Sequence, residues 1–318
     1  MELSDAHLNV FDRTVLKLHP DKRKAYLEQV DYLIGRLKQK IDEDTAFGIK
    51  KFRLAGSLPK GTVLRPRDGQ GVDADSAAYL DIGDATSFDL ETLHYQSRRL
   101  LVAIYPQKRP EDFTVQPRTL GIHFHDSGLD VDLVPVVPID ATCDYGWQPS
   151  SQGEPPLKTS IPKQLAFIRS RKERDPRYRQ LIRLLKRWRN FHELDFLRSY
   201  TIELLLAHLQ DTPGPAERLE VGLLRFFLWV AQTRLTQPVS FPENGSITVY
   251  PNDPVVVLDP VNAENNVARR ITLLEREEIV RQATEAWETL TTARRNGYKG
   301  ETLELWKEVF GRSFVVEE

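Results

Sequence analysis

Apolar and polar positions repeat differently in the two halves of the chain. Over residues 20–45, Tyr26, Leu27, Val30, Leu33, Ile34 and Leu37 recur every three or four residues. That spacing lines one face of a helix, and Pro20 suits its first turn. Between 47 and 145 the period falls to two, in short runs broken by glycine and proline. KFRLAGS, VDADSAAYLDI, RLLVAIYP, GIHFH and GLDVDLVPVVPI are the clearest and read as strands. A loop rich in Pro, Ser and Gly, Gln148 to Pro156, marks a lobe boundary. Beyond it the helical period returns. Leu181, Leu184, Leu185 and Trp188 form one stripe, and Leu204, Leu205 and Leu209 belong to the next helix. Leu219–Gln232 gives another, and Glu275–Arg295 a further one with Ile279, Ala283, Ala286, Trp287 and Leu290 inward. VVVLDP between them reads as a short strand ending in an Asp-Pro turn. No internal repeat is visible. The pattern predicts an α+β fold: a mixed lobe over residues 1–155, a mostly helical lobe over 156–318, and a cleft between them.

Composition narrows the class. The chain has 318 residues, 40% of them hydrophobic and 28% charged, enough for a sizeable core and too ordered a mixture for a disordered chain. Cys143 is the single cysteine, which excludes an internal disulfide framework and a multi-cysteine zinc site and suits a reducing cytosol. The start, MELSDAHLNVF, lacks a secretion-signal pattern. Val221–Val230, the strongest apolar run, is interrupted by Gly222 and Arg225 and is too short to span a membrane. A soluble cytoplasmic protein is expected. The net charge of −2 hides a basic segment, Lys163–Arg189, with eleven cations against two acids. Such a segment is either a local anion site or a solvated helix face.

The candidate chemistry lies in the first lobe. A strand, Phe52–Ala55, runs into Gly56-Ser57. Small residues let backbone N–H groups approach a phosphate, and Ser57 adds a hydroxyl; by itself the motif is also a plain tight turn. In the next strand Asp73 and Asp75 are two apart, so both project from one face, about 6.6 Å apart along the strand. GLDVDLVPVV repeats the device, with Asp130 and Asp132 on one face and Leu129, Val131 and Leu133 on the other. Three or four carboxylates converging from two strands beside a phosphate-binding turn match the needs of two-metal phosphoryl transfer. His123 and His125 share a strand face, but too few ligands accompany them for a histidine metal site.

GSLPKGT, VDADSAAYLDI and LDVDLVPVV resemble the GS…DxD…D signature of the DNA polymerase β-like nucleotidyltransferases. LIRLLKRWRN, RSYTIELLLAHL and PVVVLDPVNAENNVA are similar to the tail of the oligoadenylate synthetases and of their bacterial relatives, the CD-NTases (cGAS/DncV-like nucleotidyltransferases). The matching blocks run from about residue 52 to 270. This resemblance implies a polymerase β-like core, a twisted mixed sheet with helices, packed on a C-terminal helical lobe with the active site in the cleft. Gly56 and Ser57 would hold the donor triphosphate. Asp73 and Asp75 would bind two Mg²⁺ ions, with Mn²⁺ as a substitute, and Asp132 would complete the catalytic set, Asp130 being its rival. Lys186 would reach the triphosphate; Ser199, a candidate N-cap, and Tyr200, stacked on the donor base, would open the next helix. Apart from the resemblance, Lys186 reads equally as a solvated helix lysine and Tyr200 as a core residue.

The implied activity is template-independent joining of ATP, GTP or other nucleoside triphosphates into a cyclic di- or trinucleotide of purine type, with release of pyrophosphate. The product would activate a separate effector in anti-phage (CBASS) signalling. No membrane association and no stable nucleic-acid binding are expected, and a monomer is. The alternatives are adenylylation of a small molecule or an RNA end, and a nucleotide-binding regulatory protein. With one cysteine the chain cannot build the zinc-binding insert of the animal DNA-sensing relatives.

Overall fold

The computed structural model describes residues 5–44, 48–67, 71–81, 90–149, 155–245, 250–296 and 298–315. Ile82, residues 150–154 of the expected loop and residues 316–318 lie outside the described residues. In chain order the elements are α1 (Asp5–Phe11), a π-helical turn (Asp12–Leu16), α2 (Pro20–Asp44), β1 (Gly48–Leu54), the one-turn α3 (Ser57–Lys60) and β2 (Val72–Asp81). Then come α4 (Leu90–Ile104), β3 (Phe113–Val115), β4 (Leu120–Phe124), β5 (Leu129–Pro138), β6 (Gly146–Gln148) and β7 (Leu157–Thr159). The rest is α5 (Ile161–Arg174), α6 (Tyr178–Phe191), α7 (Ser199–Asp211), α8 (Leu219–Thr233), β8 (Leu258–Asp259), β9 (Asn262–Asn266), α9 (Leu273–Arg295) and α10 (Lys299–Phe310). These elements form two units, Leu18–Leu165 and Met1–Lys17 with Ala166–Glu318. The N-terminal segment therefore packs with the C-terminal one, and the break falls inside α5 rather than at 155/156.

In the first unit the sheet order is β1-β2-β5-β4-β3, with β6 joining β5 to β7. β2 and β5 are parallel, and the other pairs are antiparallel. Alternation gives each central strand one apolar face. Val72, Ala74 and Leu80 of β2 and Leu129, Val131 and Leu133 of β5 share a buried cluster with Val30, Leu33 and Leu37 of α2 and Leu100, Leu101 and Ile104 of α4. Burying each large side chain contributes about 2 kcal/mol. On the opposite face Ala77, Tyr79 and Val136 make a smaller cluster with Cys143. The N-terminal halves of both strands stay uncovered by that cluster, and there the alternation places aspartates.

Two strand expectations need correction. RLLVAIYP lies largely in α4: Leu100, Leu101 and Ile104 are buried while Val102 is 42% exposed. A run of consecutive apolar residues satisfies helix and strand alike, and one-sided burial at helical spacing decides between them. Of VVVLDP only Leu258–Asp259 forms a strand, against β9, although Val255, Val256 and Val257 are buried. Trp287 is half-buried rather than inward.

In the second unit α6 is buried almost all round. Tyr178, Leu181, Leu184, Leu185 and Trp188 are inside, and Trp188 packs edge-on to Phe227 at 5.0 Å between ring centroids. The basic segment is not simply a solvated face, because Arg171, Arg183, Lys186 and Arg187 are buried. Buried charge requires partners. Arg171 pairs with Asp211 and Glu243, and Arg187 Nε donates to the Phe310 carbonyl. Arg183 grips Asp12 in a fork, Nε to Oδ1 and Nη2 to Oδ2, both 2.6 Å. This pair ties the π-helical turn to α6. Phe11 and Phe314 meet at 4.8 Å between centroids, tying α1 to the chain's last described turn. Among the described residues no helix is long and apolar enough to cross a membrane.

Removing one member of the Asp12–Arg183 pair strands a buried charge, which costs about 3–5 kcal/mol. Asp12→Ala should therefore lower Tm by several degrees, and Asp12→Leu/Arg183→Met should recover most of the loss in the same thermal melt.

Candidate active site

The parallel pairing of β2 with β5 fixes the site. In that register Asp73 faces Asp130 and Asp75 faces Asp132, with neighbouring strands about 4.8 Å apart. All four side chains leave the same face of the sheet, since each is separated from its strand-mate by one residue. Asp73 is exposed, and Asp75, Asp130 and Asp132 are half-buried. The carboxyl of Asp132 is pushed up to about 6, by burial first and then by the charges of Asp75, Asp73 and Asp130. Like charges this close resist simultaneous ionisation. Among the described residues, no three acidic, imidazole or thiol groups close into a metal shell. The aspartates form an open row instead.

The Gly-Ser turn meets that row directly. Leu54 of β1 pairs with Ser76, and the Ala55 N–H donates to the Asp75 carbonyl at 2.7 Å. Gly56 has φ 70° and ψ −154°, a backbone region essentially reserved for glycine. A β-carbon there would also overlap the Asp75 carboxylate. Both conformation and space therefore require glycine. Ser57 is the first residue of α3. Gly56, Ser57, Asp73, Asp75 and Asp132 are thus gathered in one unit, and Asp130 joins the row with them.

Two residues near this row were given no role by the sequence reading, which passed over Gly121 and set His123 aside. Gly121 of β4 lies opposite Asp132, and a β-carbon there would stand 2.8 Å from Asp132 Oδ1. His123 lies opposite Asp130 and donates from Nδ1 to its Oδ1 at 2.6 Å. Placing GIHFH antiparallel to GLDVDL would have found both. His125 pairs instead with the buried Asp112, whose carboxyl it holds below the usual range. Each histidine thus serves a carboxylate, with the two rings edge-on at 4.4 Å between centroids.

The remaining predicted residues lie in the other unit. Lys186 is buried on α6. Ser199 is the first residue of α7, and Arg198 is the N-cap, so the capping expectation for Ser199 fails by one position. The serine follows the extended residue instead of being it. Tyr200 is half-buried, and its hydroxyl donates to Asp259 Oδ1 at 3.2 Å. Burial holds that hydroxyl well above its ordinary value. Asp259 is in turn fixed by the Val261 N–H and by Asn265.

No protein-family model matches the chain. The CBASS oligonucleotide cyclase CdnC of Escherichia coli (strain KTE188) is 38% identical over 318 residues, covering 100% of this chain and 99% of that protein. The chain belongs to the CBASS oligonucleotide cyclases, within the CD-NTases. As a CD-NTase it is a nucleotidyltransferase that makes a cyclic oligonucleotide in anti-phage defence. A cyclic AMP-AMP-AMP synthase of Escherichia coli (strain MS 115-1) is 32% identical over 312 residues, 94% of each chain. The solved structure of E. coli MS115-1 CdnC with ATP superposes with a TM-score of 0.85 at 31% identity, covering 98% of this chain and 99% of that one. Vibrio cholerae DncV cyclic AMP-GMP synthase, solved with a linear intermediate, shares the fold at a TM-score of 0.76 and 12% identity.

Two outcomes follow from the geometry. Gly56→Ala should lower nucleotidyl transfer at least about 100-fold, measured as pyrophosphate release, with the circular dichroism spectrum kept. The raised Asp132 carboxyl makes the folded protein the better proton binder, so metal-free stability falls as pH rises towards about 6. Asp132→Asn should raise Tm above pH 6 in EDTA and leave it nearly unchanged at pH 4.

Proposed function

We propose that Asp73, Asp75 and Asp132 hold two Mg²⁺ ions, for which Mn²⁺ substitutes, and that the cyclase uses ATP to build an adenine-containing cyclic oligonucleotide. The observation that carries the metal reading is the placement of Asp73, Asp75 and Asp132 on one face of the paired strands β2 and β5, where burial first and the neighbouring carboxylate charges second push Asp132 up to about 6. A hard divalent cation relieves that repulsion, and magnesium needs few carboxylates because phosphate oxygens and water complete its octahedron. When bound, the ions supply activation of the attacking hydroxyl and neutralisation of the leaving pyrophosphate.

The protein's own groups then have distinct tasks. Backbone N–H groups at Gly56 and Ser57, with the Ser57 hydroxyl, bind the donor triphosphate. On the helical unit Lys186 offers a point charge suited to phosphate, Tyr200, braced by its hydroxyl on Asp259, offers a ring face suited to a base, and Ser199 offers a hydroxyl beside it. A ribose oxygen of the acceptor forms a bond to the α-phosphorus, and the bond to the β-phosphate oxygen breaks. Pyrophosphate carries away that electron pair, and the acceptor hydroxyl gives its proton to Asp132. A second transfer closes the ring.

The names of the relatives support an adenosine product: one is a cyclic AMP-AMP-AMP synthase, and a CdnC was solved with ATP. A CdnC was also solved in complex with HORMA-deltaN, which supports a HORMA protein as a partner here. We place the cyclase in the cytoplasm, as a monomer when alone, acting on its effector through the product.

Incubating the pure protein, with and without a HORMA partner, with the four nucleoside triphosphates and Mg²⁺ should yield a phosphatase-resistant product whose mass is that of a cyclic adenylate. Asp73→Asn or Asp75→Asn should reduce it at least about 100-fold. A product carrying an added acceptor would favour the adenylylating alternative.

A further inference from the structure

Asp130 stands in the acid row yet is held by its own partners. Its Oδ1 accepts from His123 Nδ1 at 2.6 Å. Its Oδ2 packs against Gly71, where a β-carbon would come within 2.6 Å. The Val72 N–H donates to the Gly128 carbonyl at 2.8 Å, fixing the start of β2 against the start of β5. His123 is itself fixed. Its ring lies edge-on to His125 at 4.4 Å between centroids, its carbonyl accepts from Lys108 Nζ, and its strand pairs with β5 at that position. Without these contacts the register would leave Asp130 beside Asp73, as free as Asp132 is beside Asp75.

We propose that His123 is a positioning residue that withholds Asp130 from the cation site, keeping the site a three-carboxylate one. The inference rests on the metal reading above. Its consequence is metal choice. Magnesium takes a few carboxylates and keeps its waters, whereas calcium accepts six to eight oxygens in a loose shell, so a fourth carboxylate shifts preference towards calcium. An outer partner that orients a carboxylate typically governs metal affinity by 10–100-fold.

The test uses the full chain with Mn²⁺ bound and followed by electron paramagnetic resonance, then displaced by Mg²⁺ or by Ca²⁺. His123→Phe keeps an aromatic ring and removes the donor, and it should shift displacement in favour of Ca²⁺ by about tenfold. His123→Asn, whose amide nitrogen stands where Nδ1 did, should keep the wild-type ratio. Asp130→Asn alone should also keep it, and His123→Phe/Asp130→Asn should restore it. A purely structural role would move thermal stability in these variants without moving the ratio. An unchanged ratio in His123→Phe that still binds Mn²⁺ would overturn the proposal and leave the cation site standing. Mn²⁺ binding that survives Asp73→Asn/Asp75→Asn would overturn the cation site and the proposal together.

Discussion

Repulsion among carboxylates is the interaction around which the catalytic unit is organised. A parallel pair of strands, each with two aspartates one residue apart, brings four acids onto one patch of sheet. The fold gains nothing from this in the absence of a cation. Asp132, through burial first and the neighbouring charges second, holds its proton up to about pH 6, and Asp130 takes an imidazole partner. The cost is tolerable because the opposite face of the same strands is buried and, Ser76 apart, apolar, packed beneath α2 and α4. Stability on one face allows strain on the other, which is how rigid sheets carry reactive groups.

The helical unit solves a different charge problem by pairing. Its buried arginines each reach a carboxylate or a backbone carbonyl, and the Asp12–Arg183 fork binds the N-terminal segment into a unit otherwise made from the C-terminal half of the chain. Tyr200 shows the same logic in miniature: its hydroxyl is anchored to Asp259, and Asp259 is held by two further donors. An aromatic ring braced in this way loses little further freedom when a flat ligand packs against it.

Much of this was legible beforehand. Period-two alternation in VDADSAAYL and LDVDLVPVV is strong because one face of each strand is wholly buried, so register errors would be costly. The three-and-four spacing of α2 is equally clear, since it buries one stripe only. The signal failed where an apolar run is unbroken or where partners are distant in sequence. LLVAI is apolar throughout and shows its helical face only against the sheet. The arginines of α6 left an anion site and a solvated face both open, because Asp12, the partner of Arg183, lies 171 residues away. His123 was weighed only as a metal ligand and set aside, whereas the antiparallel register makes it the partner of Asp130.

The most direct test follows the Asp132 carboxyl by carbon-13 NMR across pH, with and without Mg²⁺ and a non-hydrolysable ATP analogue. The account predicts a midpoint near 6 in the metal-free protein and a fall of at least about one pH unit when cation and nucleotide are added. An ordinary midpoint near 4 without metal, or no response to Mg²⁺, would contradict it.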